Sequence, residues 1–213
     1  MTTHHPIVEH ARRRSPREER RAATRDAIVA GTLSLLAEGG YGAASMHDVA
    51  RRAGVATGSL YRHFPSKGEL LAHVFRESAG RELATVGAAA RGSAPPADRL
   101  RAAVETLAGR ALASPTLTHA LLSETGVDPA AEAARTAIRR AHEELLATVL
   151  ADGVAAGAFA PGQDVRVTAR ALVGALHAAV VGARDPMPGR RTDGELAHEL
   201  AAFALRAAGA DPS

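Results

Sequence analysis

Apolar residues recur along most of this chain at helical spacing, and glycine and proline cut the recurrence into nine segments. In the first, about residues 16–38, Ile28, Thr32, Leu35 and Leu36 share one face, Gly39-Gly40 ends the helix, and Tyr41-Gly42 follows as a loop. A short second helix occupies 45–53, with Ser45 as its N-cap, Asp48 in its first turn, and Val49 and Ala50 on one side. It must stop at Gly54, which supplies the left-handed conformation of a tight turn. A third helix follows to Phe64. Leu60 and Phe64, four apart, form its inner face, while Thr57, Ser59, Arg62 and His63 are spread over the rest. Pro65 breaks it, and Ser66 to Glu69 reads as a reciprocal capping box that opens a fourth helix over 67–90 with Leu70, Leu71, Val74 and Phe75 at core spacing.

Residues 91–96 punctuate the pattern strongly, and helices are then expected over 97–113, 115–124, 129 to about 157, 165–184 and 192–208. Asp128-Pro129 and Asp164 are good helix starts. In the last two helices, Val165, Thr168, Leu172, Leu176, Ala179 and Val180 make one stripe, and Leu196, Leu200, Phe203, Ala204 and Ala207 another. No segment reads as a convincing strand. The fold class is all-α: an N-terminal three-helix unit with a helix-turn-helix, then a larger helical domain.

Charge sharpens this division. The formal net charge is only +3, yet residues 1–76 hold 12 basic and 7 acidic side chains, whereas residues 77–213 hold 14 and 16. The basic part is the part with the helix-turn-helix, as attraction to phosphate requires. Residues 1–15 are polar and without periodicity, so they read as a disordered basic arm; it is open whether their arginines lie along DNA or form a solvated tail. Cysteine is absent, which removes disulfides, thiolate metal sites and thiol nucleophiles. The longest apolar stretches are broken by Arg, His or Gly short of a membrane span, so a cytoplasmic protein with no membrane partner is expected.

The order Gly54-Val55, Gly58, Leu60-Tyr61, His63-Phe64, Ser66-Lys67 and Leu70 resembles the DNA-binding half of the tetracycline-repressor (TetR) family. The resemblance covers roughly the first third of the chain. It implies that Thr57, Gly58 and Ser59 approach the bases, that Tyr61 and His63 reach phosphate or sugar, that Arg62 contacts base or backbone, and that Lys67 meets a phosphate. Ser45 is implied to bond a phosphate and His47 to face the groove; a plain cap role for Ser45 stands beside this. The residues themselves agree in part, since hydroxyls, a guanidinium and the missing side chain of Gly58 permit close approach and hydrogen bonding. Ala56 departs from the family's usual Ser. Ala caps poorly, so Thr57 is expected to compete as the cap.

For the remainder, the resemblance implies a homodimer through helices 165–184 and 192–208, a palindromic double-stranded operator, and release by a small-molecule effector. Scarce aromatic residues favour an aliphatic cavity and so an apolar effector, with Thr106, His119, Leu122, Arg139, His142 and His177 as pocket candidates. The domains are then 16–66 for DNA and 67–213 for effector and dimer, with helix 67–90 connecting them. No zincin spacing, phosphate loop or nucleophile elbow is present, so no enzyme, metal or cofactor is expected. Three readings stay in play: a ligand-responsive repressor or its activator variant, a helical interaction module without sequence-specific DNA binding, and a metal-dependent helical enzyme assembled from scattered His and carboxylates.

Overall fold

The computed structural model describes residues 15–123, 128–182 and 192–210, and most of the expected basic arm lies outside them. The described residues form nine α-helices and no strand: α1 Pro16–Ala43, α2 Met46–Arg52, α3 Thr57–His63, α4 Lys67–Ala90, α5 Pro96–Leu112, α6 Pro115–Leu122, α7 Pro129–Ala155, α8 Val165–Gly182 and α9 Asp193–Ala207. Ser15, expected in the arm, is instead the N-cap of α1, in a capping box with Glu18. The glycine stop after Glu38 is real in geometry but shorter than expected. Gly39 and Gly40 leave helical φ/ψ, Gly40 at φ 67°, yet the chain resumes a turn over 41–43 where a loop was expected.

Two apolar cores divide the molecule, and the division does not fall at residue 67. Leu70, Leu71, Val74 and Phe75, from the first two turns of α4, pack with Ile28, Leu36, Val49 and Leu60 of α1 to α3. Val86 and Ala90 at the other end of α4 join Leu100, Leu150, Leu172 and Leu176. α4 is thus shared by both cores. The N-terminal core also takes in Ala120 of α6 and Ala131 and Ala134 of α7, because α6 lies on α1. In the C-terminal core α5 packs against α9, α4 against α7, and α7 against α8.

Both acidic helix starts form as expected: Asp128 accepts from the Ala130 and Ala131 amides, and Asp164 from those of Arg166 and Val167. At α4 only half of the expected box forms, the Ser66 hydroxyl accepting from the Glu69 amide at 3.1 Å. α8 is interrupted by Arg166, Arg170, Gly174 and His177, as expected, yet its 18 residues have a mean hydropathy of 1.3, enough to cross a membrane by length and composition alone. Only 28% of that helix is buried, so it is apolar on its outer side as well as its inner one.

Candidate DNA-reading head and effector cavity

α3 presents its polar side outward because Leu60 and Phe64 are locked inside, 0% and 3% exposed. Thr57, Gly58, Tyr61 and Arg62 are exposed, with Ser59 and His63 half-buried beside them. The turn before α3 is closed by Gly54 at φ 67° and by bonds from the Gly54 amide to Arg51 O and the Val55 amide to Ala50 O. Ala56 is the N-cap and makes no side-chain cap bond; Thr57 is the first helical residue, which corrects its expected role as a substitute cap. A Cβ built on Gly58 meets nothing within 4 Å, so no internal contact requires glycine there.

The head is held together by charge as well as by its core. Arg52 at the end of α2 forks onto Glu38 of α1, at 2.6 and 2.7 Å, and also donates to Ser34. Those bonds hold the Glu38 carboxyl down at about 2. Ser45 caps α2 by accepting from the Asp48 amide at 3.1 Å, and its hydroxyl donates to the Asp48 carboxylate. Both sides of that hydroxyl are therefore engaged within the protein. His47, on the first turn of α2, is exposed. Lys67 Nζ donates to Tyr41 O at 2.8 Å and lies 3.7 Å from the Tyr41 ring centroid, so its ammonium ties the start of α4 to the end of α1.

Arg25 of α1 stands 4.9 Å above the Phe64 ring and 3.2 Å from His73 Nδ1, linking α1, the end of α3 and α4. Burial, then the nearby Arg21, Arg25 and Arg62, press the His63 imidazole below its ordinary value. The α1–α3 junction is thus a basic surface that disfavours a further positive charge.

Between the two cores lies a cavity of about 290 Å³, bounded by α1 and by α4 through α8. Its wall is largely aliphatic, as expected, with Leu107, Leu121, Leu122, Ile138, Leu176 and Val180, and Phe75 contributes a ring. Of the expected pocket residues, Leu122, His142 and His177 line it and Thr106, His119 and Arg139 do not. α7 turns Arg135, Ile138 and His142 inward at spacings of three and four; Arg139, four residues from Arg135 and three from His142, flanks that face and is exposed over a shallow groove with Glu143, Arg170 and Gly174. On α6, Thr118, Leu121 and Leu122 face in, and His119 is about 100° away from its neighbour Thr118. Thr106 is displaced from Leu107 in the same way.

Arg135 and Glu82 are cavity residues that the sequence reading did not select. Arg135 is 8% exposed, donating to Leu121 O at 2.9 Å and Glu132 at 2.7 Å, and was legible only as one member of the Arg135–Ile138–His142 spacing. Glu82 Oε1 lies 3.3 Å from His142 Nε2, within ion-pair range but off the line of an N–H bond, so neither His142 nitrogen has a hydrogen-bond partner. Burial, followed by His142 and Arg139, lowers the His177 imidazole to about 4. Among the described residues no three His, Asp or Glu side chains converge to hold a metal ion.

The outer side of α8 carries Val167, Ala171, Gly174 and Ala178 in one exposed stripe, with Phe203 and Ala207 exposed on α9. Val167 and Phe203, 63% and 40% exposed, are with Tyr61 the large exposed apolar side chains of the described residues. The apolar stripes of α8 and α9 are mostly spent internally: Leu172, Leu176, Val180, Leu200 and Ala204 are buried in the chain's own core. Sequence periodicity selected the more hydrophobic face of each helix, and that face belongs to the monomer.

Residues 28–74 match the family described as bacterial regulatory proteins, tetR family, and residues 93–208 match the tetracyclin repressor-like C-terminal domain. The HTH-type transcriptional repressor KstR of Mycolicibacterium smegmatis is 39% identical over 97 residues, 46% of this chain and 48% of that protein. KstR of Mycobacterium tuberculosis is 32% identical over 130 residues, 61% of this chain and 59% of that one. The chain spans about half the length of these curated relatives. A solved structure of the transcriptional regulator FadR from Bacillus subtilis in complex with stearoyl-CoA superposes with a TM-score of 0.74 over 85% of this chain and 98% of that one, at 19% identity, which shows a shared fold.

Proposed function

Because this chain belongs to the TetR family of bacterial regulatory proteins, we propose that it is a cytoplasmic transcriptional repressor with no catalytic step, binding a palindromic operator as a homodimer and released by a small apolar effector. The observation that carries the reading is the pairing of an exposed reading helix, α3, with an apolar cavity whose walls include α4, the helix shared by both cores. Thr57, Gly58 and Ser59 approach base edges, and Arg62 contacts base or backbone; Tyr61 and His63 meet the backbone. Lys67 reaches phosphate only as far as its tie to Tyr41 allows. Ser45 serves first as a cap, and His47 faces the groove. The exposed stripe of α8 with Phe203 of α9 meets its copy about a two-fold axis, setting two α3 helices on successive turns of the same side of DNA.

Release follows if the effector binds more tightly to a conformation in which the two heads no longer match that spacing. α7 carries the cavity residues Arg135, Ile138 and His142, and its N-cap Asp128 packs directly on Gly68 in the first turn of α4. A shift of α7 therefore reaches the base of the head. The FadR structure holds stearoyl-CoA, so compounds with a long aliphatic body belong in a first screen. Compounds that raise the melting temperature are expected to free the protein from bound duplex at concentrations that track their affinity. Stabilisation by such compounds with duplex binding unchanged would contradict the release mechanism.

A further inference from the structure

His142 is 3% exposed on the cavity wall, with both ring nitrogens lacking a hydrogen-bond partner. Buried polar atoms of this kind are uncommon in a folded protein and call for a partner. Glu82 Oε1, 3.3 Å from Nε2, is an acceptor, so it favours the tautomer with the ring proton on Nε2. Nδ1 is then a buried lone pair without a donor.

The surroundings limit what can supply that donor. Beside His142 stand the Glu82 carboxylate and the edge of the His177 ring, 6.3 Å between ring centroids, and His177 is uncharged at neutral pH because burial lowers it to about 4. A carboxylate ligand would therefore meet a like charge here and carry no proton to give. The cavity's arginines do not reverse this: Arg135 is bonded to Leu121 O and Glu132, while Arg81, paired with Glu77, and Arg110 are exposed. An ammonium would donate, but it would lose its hydration against walls of Leu107, Leu121, Ile138 and Leu176.

We propose that the effector is an uncharged molecule with an apolar body and a hydroxyl group at its buried end, the hydroxyl donating to His142 Nδ1 and Glu82 orienting the ring. The assignment rests on the cavity being the effector site. It makes His142 a specificity determinant, since a site built to bond a hydroxyl rejects an analogue that lacks it far more strongly than one that differs by a methylene.

The test is calorimetric titration of the full chain with octanol, methyl octyl ether, octanoate and octylamine, which share an apolar body and differ at the polar end. Octanol is expected to bind at least about tenfold more tightly than each of the others. His142→Leu is expected to fold, with an unchanged or higher melting temperature, and to bind octanol and the ether equally; His142→Phe gives the same readout if the leucine variant folds poorly. Equal affinities in the wild type, tighter binding of octanoate or octylamine, or no binding of octanol would overturn the assignment. Duplex binding is measured separately. Its absence with octanol selectivity intact would count against the repressor reading and leave the hydroxyl assignment in place.

Discussion

Gly58 and His63 show most directly what the reading helix is shaped for. A Cβ at Gly58 would touch nothing within the protein, and alanine is the better helix former, so glycine here costs stability without an internal return. Gly58→Ala is expected to raise stability by up to about 1 kcal/mol and to weaken duplex binding, read by thermal melting and by fluorescence anisotropy. Unchanged DNA affinity would mean that the helix does not approach bases at this point. His63 lies below its ordinary value in the free protein through burial and its arginine neighbours. A phosphate beside it favours the protonated ring, so complex formation takes up a proton, and affinity should climb as pH falls through the range between the two states. One proton corresponds to at most about tenfold per pH unit, and His63→Gln should flatten that dependence. A wild-type profile already flat between pH 6 and 8 would remove His63 from the phosphate contacts.

At the scale of elements, helix starts were the most legible part of the chain, because a cap is a local device. Asp128, Asp164 and Ser66 each accept from the amides that their sequence position predicts. Residues 39–43 were less legible, since two glycines can end a helix or kink it, and the Lys67–Tyr41 contact that gathers this turn is 26 residues apart in sequence. The docking of α7 on α4 left a weaker mark still. Gly68 looks like an ordinary member of a capping segment, yet a Cβ there would stand 1.7 Å from the Asp128 carboxylate. Gly68→Ala is accordingly expected to destabilise the protein by about 1–3 kcal/mol in chemical denaturation, as overpacking does, by pushing α7 off α4. A neutral effect would show that the start of α7 is not held by that contact. On α6 and α7 the polar side-chain types suggested candidates, but which of His142 and Arg139 faces the cavity depends on how α7 packs on α4 and α8, which short-range spacing does not carry.

For the whole molecule, fold class, the helices of the described residues and the helix-turn-helix were readable, because periodicity, glycine and proline placement and the motif at 54–70 act over short distances. The surface through which we propose that two copies meet was the least legible part. Its residues are Ala, Gly and single large apolar side chains, a weaker signal than the leucine stripes that fill the monomer's own core. Phe203→Glu is expected to weaken self-association by at least about 2 kcal/mol, since it places a charge at the centre of an apolar contact. Sedimentation would show a monomer, and duplex affinity would fall with it. A dimer of undiminished stability would place the interface elsewhere. The central claim is that two α3 helices read one DNA site together, and selection of bound sequences from random duplex DNA at physiological salt tests it most directly. The account predicts an enriched site with two-fold symmetry and half-sites one helical turn or a multiple apart; enrichment of a single unsymmetrical site, or no enrichment at all, would contradict it.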